Sequence, residues 1–229
     1  MMPVMPSGPA GRMRLAVLLL ICVSLAWVYQ AQCIFLFTRL PVFYFYLCYS
    51  PREGDVVFQS LPHDGKLVDA IEGITHSPYS HCGVVLHNDK NEWVVIESIV
   101  DVHETPLFLW ELRGRGGSFT AYRFESKYSA VIPAFKEKLL SYLGRPYDYD
   151  YDMAHDQAIY CSDLVYLAFE KVTGEKTGKL EKLGELDWKP YETFIKSEAG
   201  SLPLNRLMIT PASLAAAPQL HEVYPHDKR

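Results

Sequence analysis

The chain has 229 residues, long enough for one domain of roughly 150 to 200 residues plus an appendage. At 49% hydrophobic and 21% charged its composition is that of a globular protein rather than a disordered one. The formal net charge of -5 comes from mixed signs with no basic cluster after the first fifty residues, which argues against nucleic acid as a partner.

The N-terminus places Arg12 and Arg14 ahead of an apolar run from Leu15 to Tyr29, the layout of an export signal or signal anchor. A helix over that run spans about 22 Å, and one extended to Phe37 spans about 33 Å, enough for a hydrocarbon core of roughly 30 Å. Around Ala31 the bulky Tyr29 spoils a small-residue cleavage site, and Gln30, Ala31 and Gln32 ahead of Cys33 do not form a lipobox. The expectation is an uncleaved membrane anchor within residues 1–50. The positive-inside rule then puts residues 51–229 outside the cytoplasm, an extracytoplasmic (periplasmic) location. The aromatic stretch from Phe37 to Ser50, interrupted by Arg39 and Pro41, leaves three readings open: an interfacial segment with Tyr44, Tyr46 and Tyr49 at headgroup level, a second crossing, or packing against the domain.

From Pro51 the pattern changes to short strands. Gly54–Ser60, Ser80–Leu86 and Glu92–Ile99 read as three, the last two separated by the polar turn His-Asn-Asp-Lys-Asn. Ser118–Phe124 is a fourth, after a glycine-rich break. Helical spacing follows: Phe135, Leu139, Leu140 and Leu143 share a face, and Gly144 with Pro146 stops that helix. Beyond a tyrosine-rich polar loop, Leu164, Val165, Ala168, Phe169 and Val172 form an apolar stripe ending at Gly174. The tail from Glu175 reads as loop. Strands followed by helices make an α+β domain.

Of the five cysteines, Cys22, Cys33 and Cys48 lie in the N-terminal stretch, leaving only Cys82 and Cys161 in the body. No Cys-x-x-Cys pair and no Cys/His cluster has zinc spacing, so no disulfide framework, metal or cofactor is expected.

Cys161 opens the second helix, with Ser162 or Asp163 as its cap or first-turn residue. A thiolate there is stabilised by the positive end of the helix dipole, although a free cysteine is most often a small buried hydrophobe. His81 stands inside a strand with Gly83 two residues on, which leaves space over its ring; the bland alternative is a half-buried, hydrogen-bonded histidine. Glu97 is a carboxylate within Val-Val-Ile-Glu-Ser, costly there unless paired or on an exposed edge. A hairpin loop of three or five residues centred on Asp89 sets His81 directly opposite Glu97 on one face. A four-residue loop sends the two to opposite faces unless a bulge restores parity. Together a thiol, an imidazole and a carboxylate make the nucleophile, base and orienting group of papain-like chemistry.

The segments Gly54-Asp55-Val56-Val57, Ser80-His81-Cys82-Gly83-Val84-Val85, Ile96-Glu97-Ser98, Leu143-Gly144-Arg145-Pro146-Tyr147-Asp148 and Tyr160-Cys161-Ser162-Asp163-Leu164-Val165 resemble the permuted papain-like amidases of the YaeF/YiiX group, relatives of the NlpC-type peptidases. In the permuted group His and Glu precede Cys, as here. The resemblance covers roughly residues 51 to 175 and implies a circularly permuted papain-like fold, an antiparallel sheet packed against helices. It further implies Cys161 as nucleophile, His81 as general base and then acid, and Glu97 as orienting residue. Tyr147 matches the Pro-Tyr motif and is implied in binding the oxyanion or substrate carbonyl, beside the Cys161 backbone N–H. Asp148-Tyr149-Asp150 replaces the tryptophan and paired glycines common in the relatives, so their substrate contacts do not carry over. The expected activity is cysteine hydrolysis of an amide or ester in a cell-envelope peptide or lipid-linked substrate. Acyl transfer to an acceptor and a non-enzymatic envelope-binding module are the alternatives.

Overall fold

A computed structural model describes residues 49–63, 66–153 and 156–225. The anchor expected over residues 15–37, and the aromatic stretch up to Cys48, lie outside the described residues. Among those described, no helix is long and apolar enough to cross a membrane. Tyr49, one of the tyrosines considered for a headgroup position, is instead buried in the body. It donates a 2.7 Å hydrogen bond to Asp55 and packs edge-on against Phe119.

In chain order the elements are β1 (Val56–Gln59), α1 (Lys66–Thr75), β2 (His81–His87), β3 (Trp93–Ser98), β4 (Val102–Pro106), α2 (Leu107–Arg113), β5 (Thr120–Phe124), α3 (Ile132–Leu140), α4 (Cys161–Thr173), β6 (Glu181–Lys182), α5 (Glu192–Ala199), β7 (Leu207–Met208), α6 (Pro211–Ala215) and β8 (Leu220–Tyr224). Six strands form an antiparallel sheet in the order β4-β3-β2-β1-β5-β8, and β6 pairs with β7 apart from it. The expected α+β class, an antiparallel sheet with helices, is what the chain adopts.

Strand alternation assigns each face its work. Cys82, Val84 and Leu86 of β2 join Val56, Phe58, Val94 and Ile96 in one core, closed by Leu164, Val165, Ala168 and Phe169 of α4. Phe169 stacks flat on Phe124 at 4.7 Å, and Phe135 of α3 meets Phe124 edge-on. The opposite face carries His81, Gly83 and Glu97, beneath the buried Trp110 of α2.

Three sequence expectations need correction. The tail is not loop: it supplies β6, α5, β7, α6 and the edge strand β8. α1, β4 and α2 are also absent from the sequence reading: α2 has seven residues, and β4 sets three polar residues in a row, His103, Glu104 and Thr105, between Val102 and Pro106. Helix α3 stops at Leu140, so Leu143 falls beyond its apolar face and is exposed, while Gly144 turns the chain at φ 79°.

Candidate active site

The β2–β3 hairpin sets the first pair. Its loop holds five residues, Asn88–Glu92, closed by the Asn88 carboxamide accepting from the Lys90 and Glu92 backbone N–H groups, with Asn91 in the left-handed region at φ 59°. The loop is therefore centred on Lys90, one residue beyond the expected Asp89. Glu97 stands opposite Gly83, and His81 lies two residues further along β2. Parity is kept, so both side chains occupy one face, but they meet diagonally. His81 Nε2 and Glu97 Oε2 are 2.6 Å apart, with both residues buried.

Glu97 is the most heavily bonded carboxylate of the region. Its oxygens accept from His81, from Trp110 Nε1 at 3.0 Å, from Arg113, and from Thr105 Oγ1 at 2.5 Å; His103 Nε2 lies 3.7 Å away. Burial pushes its carboxyl up, but hydrogen bonds and charge from His81 and Arg113 outweigh that and hold it down at about 2. An ionised Glu97 accepts only, so Nε2 of His81 carries a proton and donates it, which leaves Nδ1 for another partner. Thr105, Trp110 and Arg113 were not found from sequence. The only signal was the spacing of Trp110 and Arg113, one helical turn apart, just after a strand.

The partner for the imidazole is Cys161. It is the first residue of α4, buried, and its thiol lies within hydrogen-bonding reach of His81 and of both the thiol and backbone N–H of Cys82. Its position is fixed from both sides: Ser98 Oγ donates to the Ile159 carbonyl at 2.6 Å, Tyr160 Oη accepts from Ile209 N at 2.9 Å, and Ser162 Oγ donates to the Ile209 carbonyl at 2.8 Å. Neither Ser162 nor Asp163 caps the helix. Tyr160 is the N-cap residue, without a side-chain bond, because the helix starts at Cys161 itself.

Hydrogen bonding from Cys82 lowers the Cys161 thiol well below the ordinary range; burial opposes this, and His81 adds to the lowering. Burial pulls the His81 imidazole down, but bonds to Cys161 and Glu97 win and raise it to about 9. Cys82 is pushed far up by burial and by Cys161. The arrangement thus favours a Cys161 thiolate, a His81 imidazolium and a neutral Cys82 donor at neutral pH. Cys82, on the core side of β2, is a neighbour of Cys161 to which the sequence assigned no role.

Tyr147 follows Pro146 on a segment stitched to the sheet edge, with Tyr147 N donating to the Val100 carbonyl at 2.9 Å. Its phenol bonds Tyr151 Oη at 3.3 Å, and burial followed by the neighbouring Cys161 charge pushes it well above its ordinary value, so it remains a donor. Tyr147, Tyr151, Tyr160 and Cys161 all face one cavity of about 190 Å³. The structure therefore brings all four sequence candidates, Cys161, His81, Glu97 and Tyr147, into one region.

Residues 50–224, more than half of the chain, match the family described as permuted papain-like amidase enzymes, YaeF/YiiX, C92 family. The chain belongs to this permuted papain-like amidase family. Within it, the uncharacterized protein YiiX of Escherichia coli strain K12 is 31% identical over 196 residues, 82% of this chain and 91% of the relative. The crystal structure of the metalloprotein YiiX from Escherichia coli O157:H7 superposes with a TM-score of 0.71 at 30% identity, covering 76% of this chain and 97% of that one. The C92 match takes in β1 through β8 and so spans every residue of the site.

Proposed function

We propose that this amidase-family member is a cysteine hydrolase acting through a thioester acyl-enzyme, with Cys161 as nucleophile, His81 as base and acid, and Glu97 as the group that orients His81. The observation that carries the reading is the 2.6 Å His81–Glu97 bond, which commits Nε2 and leaves Nδ1 available to the Cys161 thiol at the N-terminus of a 13-residue helix. Cys161 thiolate adds to the carbonyl carbon of an amide or ester, and the C–S bond forms. His81 gives its proton to the leaving amine or alcohol as the C–N or C–O bond breaks, then takes a proton from the water that attacks the thioester, and the C–S bond breaks to release the acid and the Cys161 thiolate. As the first residue of α4, Cys161 has a backbone N–H with no intrahelical carbonyl to bond, which suits it to the developing oxyanion; Tyr147 Oη is the second donor.

The related metalloprotein raises the question of a metal. Among the described residues no group of three or more His, Cys, Asp or Glu side chains is arranged to hold one. Around Cys161 the donors do not fit either, since His81 Nε2 is committed to Glu97 and Cys82 is held as a thiol. The proposed steps accordingly run through sulfur and imidazole alone. A substrate in the cell envelope, with the domain outside the cytoplasm, is proposed on the sequence evidence of Arg12, Arg14 and the apolar run after them.

The test is the full chain incubated with p-nitrophenyl acetate, read by intact mass and peptide mapping. An acetyl adduct on Cys161, absent in Cys161→Ala and formed at least about a hundredfold more slowly in His81→Ala, is expected. An adduct on Cys82, or none at all, refutes the reading.

A further inference from the structure

Cys82 and Cys161 form a buried dithiol held by two rigid elements. The Cys161 sulfur accepts from both the S–H and the backbone N–H of Cys82, so it lies against the main chain of that one residue. Neither cysteine is in a disulfide, and both side chains belong to one core cluster. Cys82 is fixed on β2, where it stands opposite Phe58 of β1. Cys161 is fixed in the first turn of α4 by the bonds that Ser98, Tyr160 and Ser162 make around it. Sulfurs already in hydrogen-bonding contact have only to close to about 2.05 Å to form a disulfide, which asks for a side-chain adjustment and no refolding. The two thiols differ in what reaches them. Cys161 is 4% exposed and faces a cavity with room for molecules of the size of water, whereas Cys82 is 0% exposed. They differ also in charge, since Cys161 ionises readily and Cys82 keeps its proton. A thiolate is the form that an oxidant attacks, so Cys161 is the first target. Its conversion to a neutral sulfenic acid removes the negative charge that helps to hold the Cys82 proton, and the second thiol is freed as its target appears.

We propose that Cys82 is the resolving thiol of Cys161, so that hydrogen peroxide joins the two in an intramolecular disulfide that switches the proposed hydrolase off until a dithiol reduces it. The inference rests on the Cys161 reading above and adds its regulation. In the first step the Cys161 thiolate attacks one peroxide oxygen. The S–O bond forms, the O–O bond breaks, and the departing hydroxide takes the His81 proton and leaves as water. In the second step the Cys82 sulfur attacks the Cys161 sulfur. The S–S bond forms, the S–O bond breaks, and the Cys82 proton leaves with the hydroxyl as a second water. Peroxide gains the two electrons that the thiols lose. A dithiol returns them by exchange through a mixed disulfide and ends as a disulfide itself. The bond also protects the nucleophile, because a sulfenic acid without a resolving thiol goes on to sulfinic acid, which a dithiol does not reduce.

The experiment treats the full chain, in detergent, with hydrogen peroxide, digests it without reduction and maps the peptides by mass spectrometry. A Cys82–Cys161 cross-link with the mass of two hydrogens lost is expected. Acylation of Cys161 by p-nitrophenyl acetate should fall about tenfold or more and return with dithiothreitol. Cys82→Ala and Cys82→Ser should lose acylation under peroxide as well, but accumulate sulfinic acid on Cys161 and fail to recover. The wild-type peptide map decides the matter even if neither variant folds. Sulfinic acid on wild-type Cys161 with no cross-link to Cys82 overturns the switch and leaves the hydrolase reading intact. A disulfide from Cys161 to Cys22, Cys33 or Cys48 does the same. A Cys82–Cys161 cross-link in a protein whose reduced Cys161 takes no acetyl group overturns the hydrolase reading, while Cys82 stands as the resolving thiol.

Discussion

His81 reaches Glu97 diagonally across the bare backbone of Gly83. A Cβ on Gly83 would stand 2.4 Å from Val95 Cγ1, 2.9 Å from the Ile96 carbonyl oxygen and 3.3 Å from Glu97 Cβ. The pair therefore depends on a residue that contributes no side chain. Gly83→Ala is expected to spread β2 from β3 and loosen the His81–Glu97 bond, lowering kcat by tenfold or more and stability by about 1–3 kcal/mol, as overpacking in a tight core does. Steady-state kinetics with an activated ester, beside a urea melt, measure both. Wild-type kcat in a folded Gly83→Ala protein would show that the close approach has no bearing on the pair.

That dependence also explains how far the sequence could be read. Strand alternation put His81 and Glu97 on one face only on the condition of an odd loop length, and both that length and the exact register rested on a turn with Asn91 in the left-handed region, which polar loop composition does not reveal. Cys161 at a helix start was legible from the apolar stripe behind it. Thr105, Trp110 and Arg113 were not, because their common target is defined only when β4 and α2 fold back over β3. Short tail elements escaped for a similar reason: α6 spans five residues, and its signals, Thr210 capping the Ser213 N–H and Pro211 in the first turn, are too local to outweigh a loop-like composition.

Arg113 bonds the same Glu97 oxygen as His81 and adds its charge to that of His81 in keeping the carboxylate ionised. Removing it in Arg113→Leu is expected to destabilise the protein by on the order of 2 kcal/mol, less than the roughly 3–5 kcal/mol of a fully buried pair because Arg113 is 31% exposed. The pH dependence has a definite sign. Glu97 titrates at about 2 when folded and near 4.5 otherwise, so its stabilisation is complete above 4.5 and disappears as the pH falls toward 2. Arg113→Leu should move that loss to higher pH, and Arg113→Lys should restore part of it. Denaturant melts between pH 3 and 7 distinguish these outcomes from a pH-independent loss of packing.

Cys82 donates to the Cys161 sulfur, so the low thiol pKa has two sources beyond His81, the Cys82 thiol and the Cys82 backbone N–H. In the wild type, iodoacetamide should alkylate Cys161 at acidic pH values where an ordinary thiol is protonated, while Cys82 stays unmodified. Cys82→Ala removes one donor and should shift the acid limb of the alkylation profile upward, with several-fold slower labelling at pH 5–6; Cys82→Ser, which keeps a donor, should lie near the wild type. Ester hydrolysis should fall again on the alkaline side near 9, where His81 loses the proton it gives to the leaving group. Superimposable profiles for wild type and Cys82→Ala would remove Cys82 from the electrostatics of the site.

Two residues after Cys161, Asp163 is buried and neither carboxylate oxygen has a hydrogen-bond partner among the described residues. Burial, followed by the nearby Asp148 and Cys161 charges, raises it to about 8. The folded protein therefore holds a proton that the unfolded chain has released above about 4. Stability from this group is complete below the ordinary aspartate range and is lost as pH rises toward 8. A neutral Asp163 also avoids setting a second negative charge against the Cys161 thiolate, which would oppose the ionisation that Cys82 and His81 promote. Asp163→Asn keeps the shape and abolishes the titration. It should be more stable than wild type at pH 8 by about 1–3 kcal/mol, since a tenfold change in proton affinity is about 1.4 kcal/mol and an unpartnered amide offsets part of the gain. The difference should vanish near pH 4. Melts of the two proteins at pH 4, 6 and 8 decide it: a gap that does not widen with pH would mean that Asp163 is ionised in the folded state and bonded to something other than protein.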